Sequence, residues 1–303
     1  MGWNARFVLL AATLLALALP APGFPEPIPP QPLWGQVEGA KLIVVARVES
    51  KERLRVLETW KGEAAEVLAV TSDENVTCPE PGRFEVGRTV LAFLTDGPDW
   101  MLFSDVRGRW HPVGLGYGTL YLDAASLDRY RTLVRDALAL QRRGPVGDAD
   151  RLAWLLRAAA HADTRWNGLL DLAQERRWDP VIEEWRSAAP PASRLTAQQR
   201  AELARAFIAD PSGLEDLTLL LPMVGGFRDP RLEALVVEAL DRAVEDPYGY
   251  GLTDALGPVA RWAGAAAPAL PDGIWYLTTT ERRDAVRDAW FDLRTRILTR
   301  GPR

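Results

Sequence analysis

Cysteine and histidine are scarce in this sequence, and their scarcity limits the chemistry that the chain can perform. Among 303 residues there are one cysteine, Cys78, and two histidines, His111 and His161. A single cysteine cannot form an intramolecular disulfide, so Cys78 is either a buried small side chain or a thiol for intermolecular pairing or reaction. These three side chains cannot by themselves complete a zinc site, and no complete catalytic motif occurs. We therefore predict no metal, no other cofactor and no catalytic residue.

The chain also lacks a surplus of basic over acidic side chains, which argues against nucleic acid as a partner. The chain has 36 basic and 41 acidic side chains, giving a formal net charge of −5, and such a chain is not drawn to phosphate backbones. Its 48% hydrophobic and 25% charged residues are ordinary values for a folded soluble protein. Only three of the basic residues are lysine, and this bias towards arginine is typical of a GC-rich bacterial genome.

The amino terminus has the pattern of an export signal. Arg6 precedes an apolar run at 7–19, and prolines follow it at once. A membrane-spanning helix needs about 20 apolar residues, so an uncleaved anchor is the weaker alternative. We expect residues 1–23 to be a signal peptide and residues 24–34 to be a proline-rich linker. The expected location is periplasmic or secreted, with no stable membrane span after cleavage.

The segment that follows is rich in predicted strands. Short apolar, β-branched runs separated by turn residues predict strands at 42–48, 54–60, 67–71, 89–95, 100–104 and 119–122. Five or six strands in so short a segment favour a closed barrel, because closure removes exposed edges. We therefore predict a small OB-like barrel, in which the glycine-rich stretch 114–118 forms a bend or bulge. Asp96, Asp99 and Asp105 are interpreted as a solvated acidic loop.

Several residues of this segment resemble a known family. The matching stretches are IVVARV at 43–48, VLETWKG at 56–62 and VLAF at 90–93. Together they resemble the bacterial branch of the netrin-type OB-fold domain, which is also called tissue-inhibitor-of-metalloproteinase-like. The resemblance covers about residues 36–123 and implies a netrin-type barrel with six structural motif residues: Trp60, Lys61, Gly62, Cys78, Gly87 and Phe93. Together with a helix predicted to follow it, this domain is expected to span 35–143. Animal inhibitors of this family need a disulfide-linked amino-terminal cysteine, which this chain lacks, so protease inhibition is not expected.

The second half of the chain has helical periodicity. A helix at 123–143 is expected to pack across the barrel, and residues 148–303 are expected to form an all-α domain, either an irregular bundle or a HEAT-like stack. Capping boxes at Thr196 and Thr278 predict helix starts. Asp-Pro pairs predict further starts at 179–180, 210–211, 229–230 and 246–247. The last helix, 281–299, is expected to dock through Val286, Trp290, Leu293 and Ile297. Four tryptophans, Trp154, Trp166, Trp178 and Trp185, are placed in one helical stretch.

These features predict an α+β protein made of an OB-like barrel with a packed helix and an all-α domain. The leading hypothesis is an exported bacterial protein without enzymatic activity, which binds a protein or a cell-envelope ligand. The alternative is a periplasmic hydrolase whose carboxylates and His111 converge between the two domains. A third interpretation is a structural envelope component that binds no separable partner. His161 is expected to be a helix carboxy-terminal cap or a surface residue, and His111 to pack in a strand or loop.

Overall fold

The protein has an α+β fold, in which a curled antiparallel sheet is followed by a helical region. The structure is a computed structural model and describes residues 31–71, 84–96, 108–174, 176–179, 184–187, 189–245, 250–271, 273–274 and 277–299. The α+β class predicted from the sequence is therefore confirmed.

The sheet is formed by short antiparallel strands that follow the predicted order. They are β1 (Leu42–Ser50), β2 (Arg53–Lys61), β3 (Val67–Ala69), β4 (Thr89–Thr95), β5 (His111–Pro112) and β6 (Thr119–Leu120). The order across the sheet is β3-β2-β1-β4-β5, and β6 pairs with β4. The predicted strand 100–104 lies outside the described residues.

The sheet curls so that its two edge strands, β3 and β5, approach each other. Val70, directly after β3, forms an isolated parallel bridge with Trp110, directly before β5. The Trp110 amide donates to the Ala69 carbonyl at 3.0 Å, and the Thr71 amide donates to the Trp110 carbonyl at 2.8 Å. The outer strands therefore meet at one end of the sheet, and fewer backbone groups are left unpaired there.

Both faces of the central strands are buried. Leu42, Val44 and Val90 belong to a core within the curl. Ile43 and Phe93, on the opposite face, belong to a second core that continues into the helical region. Burial on both faces explains why β1 is apolar almost throughout instead of alternating with polar residues.

The helical region follows the sheet. Its elements are α1 (Leu33–Gly39), which precedes β1, and then α2 (Ala124–Gln141), α3 (Asp148–Ala159), α4 (Ala162–Ala173), α5 (Ala197–Ala209), α6 (Leu214–Val224), α7 (Pro230–Ala243), α8 (Tyr250–Ala263) and α9 (Thr279–Thr299). The even-numbered helices α4, α6 and α8 pack on one another in sequence order, as do α3, α5 and α7, while α9 packs on α8. None of the described helices is both long and apolar enough to cross a bilayer.

Several predicted helix ends are confirmed. The Thr196 side chain accepts from the Gln199 amide, and the Gln199 side chain accepts from the Thr196 amide, so the capping box is complete. Thr278 and Glu281 form the same reciprocal pair. Asp229 caps α7, with Pro230 in its first position. The predicted docking face of α9 is also confirmed, because Val286, Trp290, Leu293 and Ile297 are all buried.

Other helical predictions are wrong. Trp178 and Trp185 do not lie in a helix, because β7 (Arg176–Asp179) and β8 (Glu184–Ser187) form an antiparallel pair that places these two residues opposite each other. Asp179 therefore ends a strand, and Asp210 follows the end of α5, since the next helix begins only at Leu214. The pair 246–247 lies outside the described residues.

The end of the predicted linker is helical and buried. Leu33 and Trp34 open α1 and are 0% and 4% exposed. Trp34 makes an edge-to-face contact with Trp154 of α3 at 5.1 Å between ring centroids. The Leu33 amide donates to Asn167 Oδ1 of α4 at 3.0 Å, which satisfies one of the free N–H groups at the helix start. The linker range 24–34 therefore has to end before Leu33.

A buried polar network joins α4 to the loop between α5 and α6. The Arg165 guanidinium donates to the Asp210 carbonyl at 2.6 Å and to Ser212 Oγ at 2.7 Å. Ser212 Oγ in turn donates to the Asp216 carboxylate. Burial raises the pKa of Asp216, although the Ser212 hydrogen bond and the Arg165 charge oppose this shift.

Replacing Asn167 should destabilise the protein, because this side chain connects three helices. Asn167 Nδ2 donates to the Tyr130 hydroxyl of α2 at 3.1 Å, while its Oδ1 accepts from the Leu33 amide of α1. We expect Asn167→Ala to lower the free energy of unfolding by about 2 kcal/mol, because a buried amide loses its acceptor. Thr218→Ala is the control, since this hydroxyl bonds to the Leu214 carbonyl of its own helix. Equal losses in urea unfolding would contradict the role given to Asn167.

Asp216 should make the folding stability fall as the pH rises, whereas an exposed capping carboxylate should make the folding stability fall as the pH drops. A folded-state pKa above the unfolded value favours the folded state in acid, and this contribution is lost as the pH rises. We expect the stability of Asp216→Asn relative to the original chain to increase from about pH 4 to pH 7. Hydrogen bonds from Arg231 lower the pKa of Asp229, so its contribution to stability is lost only as the pH falls below about 4. The stability of Asp229→Asn relative to the original chain should therefore increase as the pH falls below about 4, which is the opposite trend. Urea unfolding from about pH 2.5 to pH 7 measures both variants, and trends of the same sign would contradict the assignment.

Candidate functional site

The predicted motif residues lie at both ends of the sheet. Lys61 of β2 and Phe93 of β4 are both register partners of Ile43 of β1, so they form one row across three strands. Phe93 is fully buried. Gly87 lies at the other end, where its amide donates to the Val48 carbonyl at 2.9 Å. Cys78 lies outside the described residues.

Lys61 and Gly62 attach the sheet to α1. Lys61 Nζ donates to the Val37 carbonyl at 2.7 Å and to the Glu38 carbonyl at 3.3 Å, near the carboxy-terminal end of α1. A cation there complements the negative end of the helix dipole. Burial lowers the pKa of Lys61, and the Glu38 charge opposes this shift. Gly62 has a φ of 77°, and a Cβ atom at this position would lie 2.5 Å from the Lys41 carbonyl oxygen, so only glycine fits.

Trp60 attaches the sheet to α2. Its indole Nε1 donates to Glu58 at 3.0 Å, and the Arg131 guanidinium of α2 lies 5.5 Å from the ring centroid. Arg131 also pairs with Glu58 at 2.8 Å. The hydrogen bonds from Trp60 and Arg131 lower the pKa of the Glu58 carboxyl. Trp60 is only partly buried. The Trp-Lys-Gly sequence therefore joins helices to the sheet.

The two histidines lie in different surroundings. His111 belongs to β5, where it pairs with Thr95, and is 0% exposed. His161 is exposed, which agrees with the predicted surface position, but it lies at the amino-terminal cap of α4 and not at the carboxy-terminal end of a helix. Within the described ranges, no three or more His, Cys, Asp or Glu side chains form a group suited to a metal ion.

The glycine-rich stretch and the predicted acidic loop have structural contacts. Gly114 lies in a turn with a φ of 64° and is followed by the 3-10 helix Leu115–Gly118, so the predicted bend is present. Asp96 pairs with Lys41 at 2.6 Å on the surface. Asp99 and Asp105 lie outside the described residues.

An open groove between α7 and α9 is the clearest candidate for a binding site. It encloses about 720 Å³, a size typical of ligand pockets. One side is a stripe on α7 made of Pro230, Ala234 and Val237. The other side includes Leu298 of α9, whose side chain is 59% exposed although it is large and apolar. An apolar groove open to solvent suits a partner that removes this surface from water.

The groove is rimmed by more acidic than basic side chains. Its four carboxylates are Glu233, Glu238, Asp241 and Glu245, and its two cations are Arg242 and Arg294. Asp241 accepts from Trp290 Nε1 at 2.8 Å and pairs with Arg294 at 3.1 Å, which holds α9 against α7. Arg242 pairs with Glu238 at 3.5 Å.

Sequence reasoning missed this groove, although α7 and α9 carry a signal for it. Beside its buried face of Leu232, Val236 and Leu240, α7 has the second stripe described above. On α9, Phe291 and Leu298 fall outside the predicted docking face and are 47% and 59% exposed. Each of these helices carries more apolar surface than packing against one neighbouring helix can bury. This pattern could have revealed the groove from the sequence.

Lys61 should matter for stability far more than its neighbour Lys41. Lys61→Met leaves two helix-end carbonyls without their charged donor, and we expect a loss of about 1–3 kcal/mol in the free energy of unfolding. Lys41→Met removes only an exposed ion pair with Asp96, so its loss should stay below about 1 kcal/mol. Urea unfolding of both variants measures the difference. A loss from Lys61→Met no larger than that from Lys41→Met would contradict the attachment described above.

The row of motif residues and the groove are the two features of the chain that bear on its family and its function. The first joins helices to the sheet, and the second is open to solvent. No protein-family model, curated protein or solved structure matches this chain.

Proposed function

We propose that this chain is an exported bacterial protein without enzymatic activity, which acts by binding a protein of the cell envelope. The observation that carries this proposal is the groove between α7 and α9, where Leu298 remains 59% exposed. Exposed apolar surface of this kind is typical of protein interaction sites. The export signal at 1–23 would bring the mature chain to the periplasm or to the medium.

The strand arrangement supports an OB-like barrel of the netrin type. The sheet order, together with the parallel Val70–Trp110 bridge, gives a cyclic sequence of neighbours in which β3 approaches β5. A five-stranded, partly open barrel with this cyclic order is the OB arrangement. The Trp-Lys-Gly turn then has a structural role in the barrel, where it fixes α1 and α2.

The helix contacts support a HEAT-like stack over an irregular bundle. Helices α3, α5 and α7 form one layer, and α4, α6 and α8 form the other, with contacts between successive members of each layer. Stacked helical hairpins with neighbour-only contacts are the pattern of solenoid repeats. Gly168 permits the closest approach within the first hairpin, because a Cβ atom there would lie 2.4 Å from the Ala159 nitrogen.

The hydrolase alternative is weakened by the position of His111. A general base must lie within hydrogen-bonding reach of a substrate, and the His111 side chain is 0% exposed within β5. The interpretation as a structural component without a separable partner predicts no specific contact at the groove, so the experiment below distinguishes it from the proposal.

Site-specific photo-crosslinking in living cells tests the proposed function. A photoreactive amino acid replaces Ala234, which is exposed in the groove, or Ala209, which is exposed at the end of α5. We expect a discrete crosslinked product in the envelope fraction from position 234 and none from position 209.

The mature chain should be recovered outside the cytoplasm with its amino terminus between residues 19 and 26.

Two results would contradict the proposed function. One is the same set of products from both positions, since this would indicate non-specific proximity. The other is recovery of the intact chain, including Met1, from the cytoplasm. Absence of any product at position 234 in cells that export the chain would favour a purely structural role.

A further inference from the structure

We propose that the occupant of the α7/α9 groove is a basic amphipathic helix of a partner protein. This inference rests on the proposed function and adds the chemistry of the partner. Three observations carry it: the spacing of the apolar stripe on α7, the exposed leucine that faces it, and the distribution of charge along the rim.

The apolar stripe has the dimensions of a short helix. Pro230, Ala234 and Val237 are separated by four and three positions, so they lie along one side of α7. With a rise of 1.5 Å per residue, the stretch from Pro230 to Asp241 is about 16 Å long, which matches three turns of a partner helix. Helices that bind in grooves insert apolar residues at the same i, i+3, i+4 and i+7 spacing.

The small residues of this stripe leave room for side chains of the partner. Ala234 is exposed, and Val237 is partly buried. Leu298, 59% exposed, stands across the groove from them. Leucine or methionine side chains of a partner would fill this space and contact Leu298, and each would then leave water on binding.

The free charge along the groove is negative and lies at its two ends. Asp241 is compensated by Arg294, and Glu238 by Arg242. Glu233, in the first turn of α7, and Glu245, just after its last turn, form no ion pair within the described part of the chain. They are 12 positions apart, which corresponds to about 18 Å along a helix. A partner with lysine or arginine near both ends of a three-turn helix is complementary to this pattern.

The same charge pattern disfavours two other occupants. A second copy of this groove would bring Glu233 and Glu245 against carboxylates of the same kind, and the net charge of −5 adds to the repulsion. An anionic lipid surface would likewise be repelled by the acidic rim. A basic helix gains both the apolar contact and the charge attraction.

Binding of synthetic peptides to the mature chain tests the inference. The probe is a fluorescent helical peptide of about 15 residues, with leucines at the groove spacing and lysines near both ends. A matched peptide carries glutamates in place of the lysines. We expect the basic peptide to bind at least tenfold more tightly than the acidic one, measured by fluorescence anisotropy at low salt.

Variants of the chain locate the binding and its charge dependence. Glu233→Gln combined with Glu245→Gln should weaken basic-peptide binding about two- to fivefold, and this difference should fade at about 0.5 M salt. Glu202→Gln on α5 is the charge-matched control. Ala234→Arg should abolish binding by filling the groove, whereas Ala209→Arg should not. Circular dichroism and thermal unfolding establish that each variant is folded.

The outcomes separate this inference from the proposed function. Three results would overturn the basic helix as occupant. The first is equal affinity for the two peptides, and the second is a loss of binding from Glu202→Gln as large as that from the Glu233→Gln/Glu245→Gln variant. The third is unchanged binding by Ala234→Arg. Self-association that Ala234→Arg abolishes would identify a second copy as the occupant instead. If position 234 still crosslinks to an envelope protein in cells, the proposed function stands while this inference fails. Peptide binding without any cellular crosslink would support the groove chemistry and contradict the proposed function.

Discussion

The architecture depends on the burial of one short helix, α1, between the sheet and the helical region. A helix of seven residues is unstable in isolation, because too few hydrogen bonds offset the cost of nucleation. Its two ends are satisfied from opposite sides: Asn167 of α4 accepts from the Leu33 amide, and Lys61 of β2 donates to the Val37 carbonyl. Neither half of the chain can move away from α1 without leaving buried polar groups unpaired.

This arrangement explains why a single apolar core runs from the sheet into the helices. Trp34 packs on Trp154 of α3, while Ile43 and Phe93 cover the same core from the sheet. The curled sheet and the helical region are consequently parts of one packed unit at this junction. The Trp-Lys-Gly sequence belongs to the same junction, because Trp60 contacts Arg131 of α2 and Lys61 donates to the Val37 carbonyl of α1.

The sequence predicts those parts of the fold that local chemistry determines. Strand β4 is found at the predicted residues, β1 and β2 differ from prediction by one or two residues at their ends, and the capping boxes at Thr196 and Thr278 are present. These features depend on neighbouring side chains and amides. Helix α1 was missed because it follows a run of prolines and contains Gly35 and Gly39, so only tertiary contacts stabilise it. The groove was missed because it depends on which helix lies beside α7.

The groove follows from the position of α9 at the end of the described stack. Helix α9 packs on α8 and is held to α7 through Asp241, and these contacts leave Phe291 and Leu298 in contact with water. Exposed apolar residues at this place support the proposed binding surface. Under the proposal above, the carboxylates beside them would keep identical copies apart while they attract a cationic partner. Apolar contact would then supply affinity at this site, and charge would select the partner.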